Sequence, residues 1–441
     1  MEKETEEDII SEEEFRLLLN NKIQPLFRIL NIMPEDPEKF NKRFYLYMFN
    51  RAEDIEEFMD DCGAVENARF FVIRELIASI RNISIAAFEI KHTMSRFGHY
   101  KLSTILTTQE IFLKDATGAI SGLNKSISCI YDSMKEEVKD LQIENTSALC
   151  LEEAFFSAIP DKRRLPATII NEGHKGNAEN MLELTRKYRK VWKIFREESL
   201  SGRRKKEELR EVVSKKITEK KIQKFTNILL NVQSDYDTNI MNTELESSDP
   251  SLRKFRKLVS IPLHLLEATK WLVHFYERHC GGEKLCVSRH HPDHVSNIDE
   301  ILNIMNNFSL HYAWTYIREG NKIAEEILTT YMKTTRYELP IPTPLGFHAR
   351  PSTYISMIVN EHGSDVFVLI DEERFNAKSV LDLMEAGGMI ADKGLKTVIF
   401  EGDERVLDDI KILAEHNYCE DQEIPRELNY LRIARNIKGE K

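Results

Sequence analysis

The chain is poor in residues that break helices. Only 17 of its 441 residues are glycine and 13 are proline, while 41% are hydrophobic and 31% are charged. This balance is typical of a helix-rich globular protein, and it excludes collagen-like, mucin-like and broadly disordered chains. A chain of this length holds about two to four domains, each able to bury its own core.

Long apolar runs are also missing. No stretch approaches the roughly 20 uninterrupted apolar residues that span a bilayer, and the most apolar region, residues 70–88, is broken by Arg74, Glu75 and Arg81. The chain opens on an acidic run, where a signal peptide has a basic start. Its six cysteines are scattered, as in proteins that keep reduced thiols. These features predict a cytoplasmic protein without a membrane span.

Positive charge is scarce relative to negative charge, and the signatures of common phosphate-handling enzymes are absent. The net charge of -11 argues against general binding to nucleic acid or to an anionic membrane. The sequence lacks a phosphate-binding loop of the Gly-x-x-x-x-Gly-Lys-Ser/Thr type, a nucleophile elbow and the protein-kinase signature set. It therefore predicts neither a kinase nor a hydrolase, and we expect no cofactor.

Helical spacing of apolar residues dominates from about residue 12 to about residue 335, and strand-like alternation is scarce there. The spacing predicts helices over residues 12–30, with a kink or break at Pro25, and over 38–61, 66–96, 120–143, 177–196, 205–239, 252–279 and 294–332. Because long helices with short connections pack side by side, we expect this part of the chain to form antiparallel bundles.

Polar stretches rich in proline or glycine suggest the domain boundaries. One such stretch runs over residues 157–176, and three prolines fall within residues 334–344. The predicted organisation is an α-helical domain over residues 1–160, a second over 161–333 that could be continuous with the first, an α/β domain over 334–420 and a charged tail over 421–441.

A basic run, Arg203-Arg204-Lys205-Lys206, continues through later lysines of the same helical segment. Glutamates are interleaved at helical spacing, so a solvated helix face laced with ion pairs explains the run better than a nucleic-acid patch. The face could still dock an acidic partner, including the acidic C-terminal domain of the same chain.

Two histidine-containing segments invite a metal interpretation. In the first, Cys280, Cys286, His290 and His291 are close in sequence, but the five residues between the cysteines do not match a common zinc knuckle. In the second, residues 89–92 have the Glu-x-x-His spacing of di-iron bundles, which need two such motifs. We therefore expect an interhelical loop and structural histidines, with metal binding by the first segment left open.

The hexapeptide Gly346-Phe347-His348-Ala349-Arg350-Pro351 carries the clearest chemical signal. Proline is favoured as the first residue of a helix, so His348 and Arg350 are expected at or just before a helix N-terminus. Free backbone N–H groups and the helix dipole attract phosphate oxygens there. An arginine fork binds the same oxygens, and an imidazole is a nucleophile. The arrangement suits a histidine that carries phosphate.

Together with the downstream block Asn376-Ala377-Lys378-Ser379-Val380-Leu381, this hexapeptide resembles HPr, the histidine-containing phosphocarrier family of the bacterial phosphoenolpyruvate-dependent sugar phosphotransferase system. The resemblance covers about residues 337–416, less than a fifth of the chain, and implies an open-faced α/β sandwich behind the helical region. Its expected elements are strand 337–341, helix 351–361, strand 366–370, a turn at 371–374, a short helix opened by Ser379 and ended by Gly387-Gly388, strand 395–401 and helix 404–416.

The resemblance also implies roles for individual residues. His348 would be the phosphoacceptor, and Arg350 would stabilise the transferred group. Ser379 would be a regulatory position, although with Asp382 three residues later it also has a helix N-cap signature. Partner contacts are implied for Phe347, Ala349, Val380 and Leu381. The phosphoryl donor would be an enzyme I-like phosphohistidine protein, and the acceptor is left open.

Departures from the family pattern concern charge. Met357, Asn360 and Asp382 stand where basic residues are familiar, and acidic residues outnumber basic ones across the domain, so an acidic donor would be attracted poorly. Two functions remain. The first is a phosphotransfer protein, with regulation favoured over bulk sugar transport. The second is a non-catalytic regulatory protein in which the HPr-like domain is a docking or sensor module for the helical region.

Overall fold

The computed structural model describes residues 9–100, 109–145, 153–157, 178–198, 200, 202–280, 297–420 and 423–431. The chain divides into two compact units. The first, termed the helical unit, comprises Met1–Asn177 and Lys190–Ile323. The second, termed the C-terminal unit, comprises Ala178–Arg189 and Ala324–Lys441. The polar stretch at residues 157–176 lies, apart from its first residue, outside the described ranges.

Helices make up most of the described part of the helical unit. They are α1 (Glu12–Asn31), α2 (Lys42–Asp61), α3 (Phe71–Tyr100), α4 (Gln109–Asp140), α5 (Glu153–Ser157), α6 (Ala178–Glu197), α7 (Lys206–Lys215), α8 (Glu219–Asn239), α9 (Glu244–Ser248), α10 (Pro250–His279), α11 (Ile298–Asn303) and α12 (His311–Tyr331). A π-helical stretch, Ile304–Leu310, joins α11 to α12. The division between the two units falls within α6 and within α12. Over the described ranges, none of the helices combines the length and the apolar character needed to cross a membrane.

The bounds of several helices shift from the prediction, most of all in α4, which begins at Gln109 although the spacing predicts a start at residue 120. Two further differences have local reasons. The predicted helix over residues 205–239 is divided into α7 and α8, because the Thr218 hydroxyl caps α8 by accepting a hydrogen bond from the backbone N–H of Lys221. Pro25 does not split α1, although its ring removes one backbone hydrogen bond. The residues on either side of Pro25 are buried, so tertiary packing holds the helix together across the proline.

The charges that interrupt the apolar stretch of α3 are paired, and among them Glu75 is buried while Arg74 and Arg81 are partly exposed. Arg74 Nη2 lies 2.9 Å from Glu56 Oε1, and its Nη1 lies 2.8 Å from Glu75 Oε1. Arg81 Nη1 is 3.1 Å from the other carboxylate oxygen of Glu56, and His279 Nδ1 is 2.7 Å from Glu75 Oε2. The two glutamate side chains are only 5% exposed, so each depends on these partners to offset the cost of desolvation.

Ion pairs line the basic run, as its sequence pattern predicts. Lys206 and Arg210 both pair with Asp299, each at 2.9 Å. Within α7, Lys215 pairs with Glu211 at 2.8 Å. The three basic side chains are 60–69% exposed. The interpretation of this run as a solvated, ion-paired helix face is confirmed for these residues.

The cysteine and histidine segment after α10 is described only at its start. Cys280 is buried. Cys286, His290 and His291 lie outside the described residues, so the question of a metal there stays open.

The Glu-x-x-His pair of α3 belongs to a small cluster with α2 and α10. Glu89 lies 2.7 Å from His264 Nδ1, and His92 Nδ1 lies 2.7 Å from Lys42 Nζ. Burial, with the nearby His264 and Lys42, lowers the pKa of His92 to about 3. In the part of the chain that the structure describes, no group of three or more His, Cys, Asp or Glu side chains is arranged to hold a metal ion.

The C-terminal unit is built on a four-stranded antiparallel sheet. Its strands are β1 (Thr334–Pro340), β2 (Val366–Ile370), β3 (Glu373–Asn376) and β4 (Thr397–Asp403), in the order β1-β4-β2-β3. Its helices are α13 (Ala349–His362), α14 (Val380–Lys393) and α15 (Glu404–Glu415). Along β2 every second residue, Val366, Val368 and Ile370, is buried in the core, while the residues between them are partly exposed. The predicted open-faced α/β sandwich is confirmed.

The glycine pair in α14 does not end that helix, and this prediction is wrong. Gly387 and Gly388 lie in the middle of α14, which continues to Lys393 and ends at Gly394, where φ is +65°. Leu383, Ala386 and Ile390 form one buried stripe across the glycines, so packing of this stripe holds the helix together.

The prediction of a charged tail over residues 421–441 does not hold for its described part, residues 423–431, which pack against the domain. Ile424, Leu428 and Leu431 are buried and belong to the same apolar cluster as the sheet and helices of the C-terminal unit. Tyr430 packs against this cluster and donates a hydrogen bond to Asp409 at 2.7 Å. Residues 423–431 therefore extend the domain, and local charge in the sequence concealed their apolar positions.

The first turns of α6 belong to the C-terminal unit, although the sequence places them in a helical domain. The Arg186 guanidinium, with its side chain 10% exposed, is paired with the Asp403 carboxylate, which is 3% exposed. Ser364 Oγ also donates to Asp403, at 2.9 Å, and Arg189 Nη1 donates to the carbonyl of Gly363 at 3.0 Å. Asp403 is the N-cap of α15, and Gly363 follows the last residue of α13. The first turns of α6 therefore contact both the end of α13 and the start of α15.

Candidate functional site

His348 is the N-cap residue of α13, at the predicted helix N-terminus. Its backbone is extended, with φ -86° and ψ -170°, and its Nδ1 accepts a long hydrogen bond, 3.5 Å, from the backbone N–H of Arg350. The preceding turn depends on Gly346, which has φ +66° and accepts a hydrogen bond from the His348 N–H at 2.8 Å. The His348 side chain is 31% exposed. The Nδ1 lone pair thus faces the helix N-terminus, and the ring remains accessible from solvent.

Arg350 is the cation of the site. Its side-chain Nη1 donates a hydrogen bond to the backbone carbonyl of Glu420 at 2.8 Å, and the residue is exposed. Hydrogen bonds from a guanidinium to phosphate are stronger than those to a neutral carbonyl. A phosphoryl group on His348 Nδ1 would therefore compete well with the Glu420 carbonyl for this side chain.

Glu420 is a third member of the site, and sequence patterns do not reveal it. Its Oε1 lies 2.8 Å from His348 Nε2, and its side chain is 7% exposed. Both atoms, Oε1 and Nε2, are buried, and the contact lacks the geometry of a hydrogen bond. The attraction is therefore chiefly electrostatic. Glu420 is 70 positions from Arg350 along the chain, so no local spacing rule connects it with the hexapeptide.

A strained turn places Glu420 against His348. Three consecutive residues before it have left-handed backbones: Asn417 with φ +48°, Tyr418 with φ +55° and Cys419 with φ +58°. Such conformations cost about 1–3 kcal/mol each for residues other than glycine, and they persist only where neighbouring contacts enforce them. Asn417 Nδ2 donates to the Thr343 carbonyl at 2.7 Å, and its Oδ1 accepts from the Thr343 N–H at 2.9 Å. These two hydrogen bonds hold the turn against the loop that precedes His348.

Phe347 is a core residue, which corrects its expected role as a partner contact. Its side chain is 3% exposed, and its ring lies 6.1 Å from that of Phe400 and 5.5 Å from that of Tyr418. A partner cannot reach it in this position. Ala349 is exposed, and Leu345 in the same loop is 71% exposed, so apolar contact surface near His348 comes from these residues instead.

The second predicted motif forms the start of α14. Ser379 Oγ accepts a hydrogen bond from the backbone N–H of Asp382 at 3.2 Å, so its hydroxyl is the helix N-cap. Val380 is half-buried, whereas Leu381 is 78% exposed. Leu381 is therefore available to a partner. A regulatory role for Ser379 remains a prediction.

The adjacent glycines of α14 provide a test of how closely this helix approaches the His348 loop. A Cβ atom at Gly387 would lie 2.7 Å from the Phe347 carbonyl oxygen, whereas one at Gly388 would meet nothing within 4 Å. We expect Gly387→Ala to lower the free energy of unfolding by roughly 1–3 kcal/mol, because the backbone carbonyl must move. We expect Gly388→Ala to raise it by about 0.5–1 kcal/mol, because alanine is the better helix former. Urea unfolding of both variants measures the difference, and equal effects would contradict the close approach.

Comparison with known proteins supports a family assignment for part of the chain. Residues 336–413 match the family described as PTS HPr component phosphorylation site. The match includes His348, Arg350 and Ser379 and ends before Glu420. Neither a search of curated proteins nor one of solved structures found a match to this chain.

Proposed function

Because residues 336–413 form an HPr domain, which indicates a phosphocarrier role for this part of the chain, we propose that His348 accepts a phosphoryl group on Nδ1 and either passes it on or holds it as a switch. The donor in this proposal is a phosphohistidine protein that resembles enzyme I. The observation that carries the proposal is the position of the ring, whose Nδ1 faces the Arg350 N–H at the start of α13. A nucleophile placed there has an anion-binding helix N-terminus beside it.

The transfer forms one bond and breaks one. The Nδ1 lone pair of His348 attacks phosphorus, and the N–P bond of the donor breaks with both electrons remaining on the donor nitrogen. The proton on Nε2 of His348 stays in place. The oxygens of the transferring group accept hydrogen bonds from the Arg350 N–H and, once it leaves the Glu420 carbonyl, from the Arg350 guanidinium. These groups stabilise the negative charge of the transition state.

Regulation is the proposed use of this chemistry. Met357, Asn360 and Asp382 replace the basic side chains expected of a bulk sugar carrier, so electrostatic attraction to an acidic donor is weak. Ser379 contributes to regulation in this proposal, because a phosphate on its hydroxyl would add negative charge at the N-terminus of α14, beside Asp382 and the exposed Leu381. The proposal includes a cytoplasmic location, which the scattered cysteines favour.

A second candidate function is non-catalytic. The helical unit is the larger part of the chain, and Leu345 and Leu381 are strongly exposed in the C-terminal unit, which favours docking of the HPr domain on another surface. That surface could be the helical region of the same chain or a separate regulatory protein. The two functions are compatible if charge added at His348 changes the docking equilibrium.

Labelling of the full-length protein separates these candidates. We expect phosphoenolpyruvate and a host enzyme I homologue to introduce phosphate that is labile in acid and stable in alkali, as a phosphoramidate is. A reaction without enzyme I is the control, and it should give no label. If no cognate donor labels the folded protein, phosphotransfer is contradicted, and the non-catalytic function becomes the better account.

A further inference from the structure

We propose that Glu420 is a positioning residue for phosphoryl transfer, because it holds the proton of His348 on Nε2 and thereby leaves the lone pair on Nδ1. The inference rests on the proposed function, since it names a residue that supports transfer at the same site. Glu420 lies outside residues 336–413, so the family match does not supply this role.

The geometry around the ring favours one neutral tautomer. A carboxylate accepts hydrogen bonds and cannot donate when ionised, so the nitrogen beside Glu420 Oε1, at 2.8 Å, is favoured as an N–H. The other ring nitrogen faces the backbone N–H of Arg350, at 3.5 Å, and must act as an acceptor. Both contacts select protonated Nε2 and unprotonated Nδ1. A neutral histidine in this tautomer presents its nucleophilic atom to the helix N-terminus.

Glu420 acts on both functional residues at once. Its side chain contacts His348, while its backbone carbonyl accepts a hydrogen bond from Arg350 Nη1 at 2.8 Å. The left-handed turn before it is anchored on its other side, where the buried Tyr418 donates a hydrogen bond to the Pro340 carbonyl at 2.9 Å. This strained turn positions Glu420 against the nucleophile His348 and the cation Arg350, and strained backbone is typical of functional sites.

The same contact serves the phosphorylated state. After transfer, Nδ1 carries the phosphoryl group and Nε2 keeps its proton, so the ring bears positive charge. The Glu420 carboxylate stabilises that form by its negative charge. When the group moves on, an acceptor nucleophile bonds to phosphorus and the N–P bond breaks with its electrons returning to Nδ1. The leaving imidazole is then neutral, so no further proton is needed.

The test compares full-length wild type with Glu420→Gln and with Glu415→Gln. Glutamine is isosteric with glutamate, so the first change removes charge and little volume. Glu415 is an exposed residue at the end of α15, and its substitution makes the same change in net charge away from the ring. The unchanged amide NMR spectrum of α13 would show that both variants are folded.

Two readouts are needed. The first is the ¹⁵N NMR signature of the His348 ring in alkaline buffer without any donor. We expect protonated Nε2 in wild type and in Glu415→Gln, and a mixture with protonated Nδ1 in Glu420→Gln. The second is the single-turnover rate of phosphoryl transfer from phosphorylated enzyme I. We expect that rate to fall by roughly ten- to a hundredfold in Glu420→Gln, because the change removes the charge that favours protonated Nε2 and stabilises the positively charged phosphorylated ring. We expect the rate to be unchanged in Glu415→Gln.

The readouts also separate this inference from the proposed function. An unchanged tautomer in Glu420→Gln, or equal transfer rates in the two variants, would overturn the positioning role while phosphotransfer stands. The expected tautomer shift in a protein that no donor labels would support the positioning of His348 and contradict phosphotransfer.

Discussion

His348→Ala is expected to eliminate acid-labile labelling of the full-length protein by phosphoenolpyruvate and enzyme I, a loss of at least about a hundredfold, because the covalent intermediate cannot form without its nucleophile. The measurement is phosphate incorporation in a time course at equal protein concentration. Unfolding in urea should be checked beside it, since His348 is also the N-cap residue of α13.

His362 is the matched control for this substitution. It lies at the other end of the same helix, its side chain is 22% exposed, and its Nε2 lies 2.7 Å from Asp409 Oδ2. We expect His362→Ala to be labelled at the wild-type rate, because it is away from the anion-binding helix N-terminus. Equal labelling of His348→Ala and wild type would place the acceptor elsewhere in the chain.

Arg186→Ala is expected to lower the free energy of unfolding of the C-terminal unit by about 3–5 kcal/mol, because it leaves the carboxylate of Asp403 buried without its cation. The Asp403 side chain is 3% exposed, and its remaining side-chain donor is Ser364, at 2.9 Å. Hydrogen exchange of the amides in β4 and α15 measures the loss locally. Arg186 lies in α6, outside the residues that match the family. The result therefore also tests whether this additional helix stabilises the C-terminal unit.

Two comparisons make the Arg186 result specific. Lys333→Ala removes an exposed pair with Glu404, whose side chains are 72% and 35% exposed, and should cost at most about 1 kcal/mol. The double variant Arg186→Met with Asp403→Asn removes both charges and should be less damaging than Arg186→Ala alone. Equal small effects of Arg186→Ala and Lys333→Ala would show that α6 does not brace this unit.

Local sequence patterns predicted many of the elements, and they placed His348 and Arg350 at a helix N-terminus. The helix N-terminus at His348 follows from proline in the first turn, and the cap at Ser379 follows from its spacing to Asp382. The alternation of Val366, Val368 and Ile370 likewise identifies a strand with one buried face. Each of these signals lies within a few residues of the feature that it predicts.

The predictions fail where one residue type has two common structural roles, or where the residue that it contacts is distant in sequence. A glycine pair is a common helix end, but Gly387 instead serves the close approach of the Phe347 carbonyl. A residue next to a reactive histidine can face a partner or the core, and the ring of Phe347 faces the core. Arg186 is 217 positions from Asp403, and only tertiary structure connects the two.

Direct identification of the phosphorylated atom tests the central claim most sharply. The protein is labelled with ¹⁵N in its histidine rings, phosphorylated through enzyme I, and observed by ³¹P and ¹⁵N NMR under alkaline conditions. We predict a one-bond coupling between phosphorus and Nδ1 of His348, with Nε2 still protonated. Coupling to Nε2 of His348, or to a nitrogen of any other histidine, would contradict the account of a nucleophile directed at the N-terminus of α13.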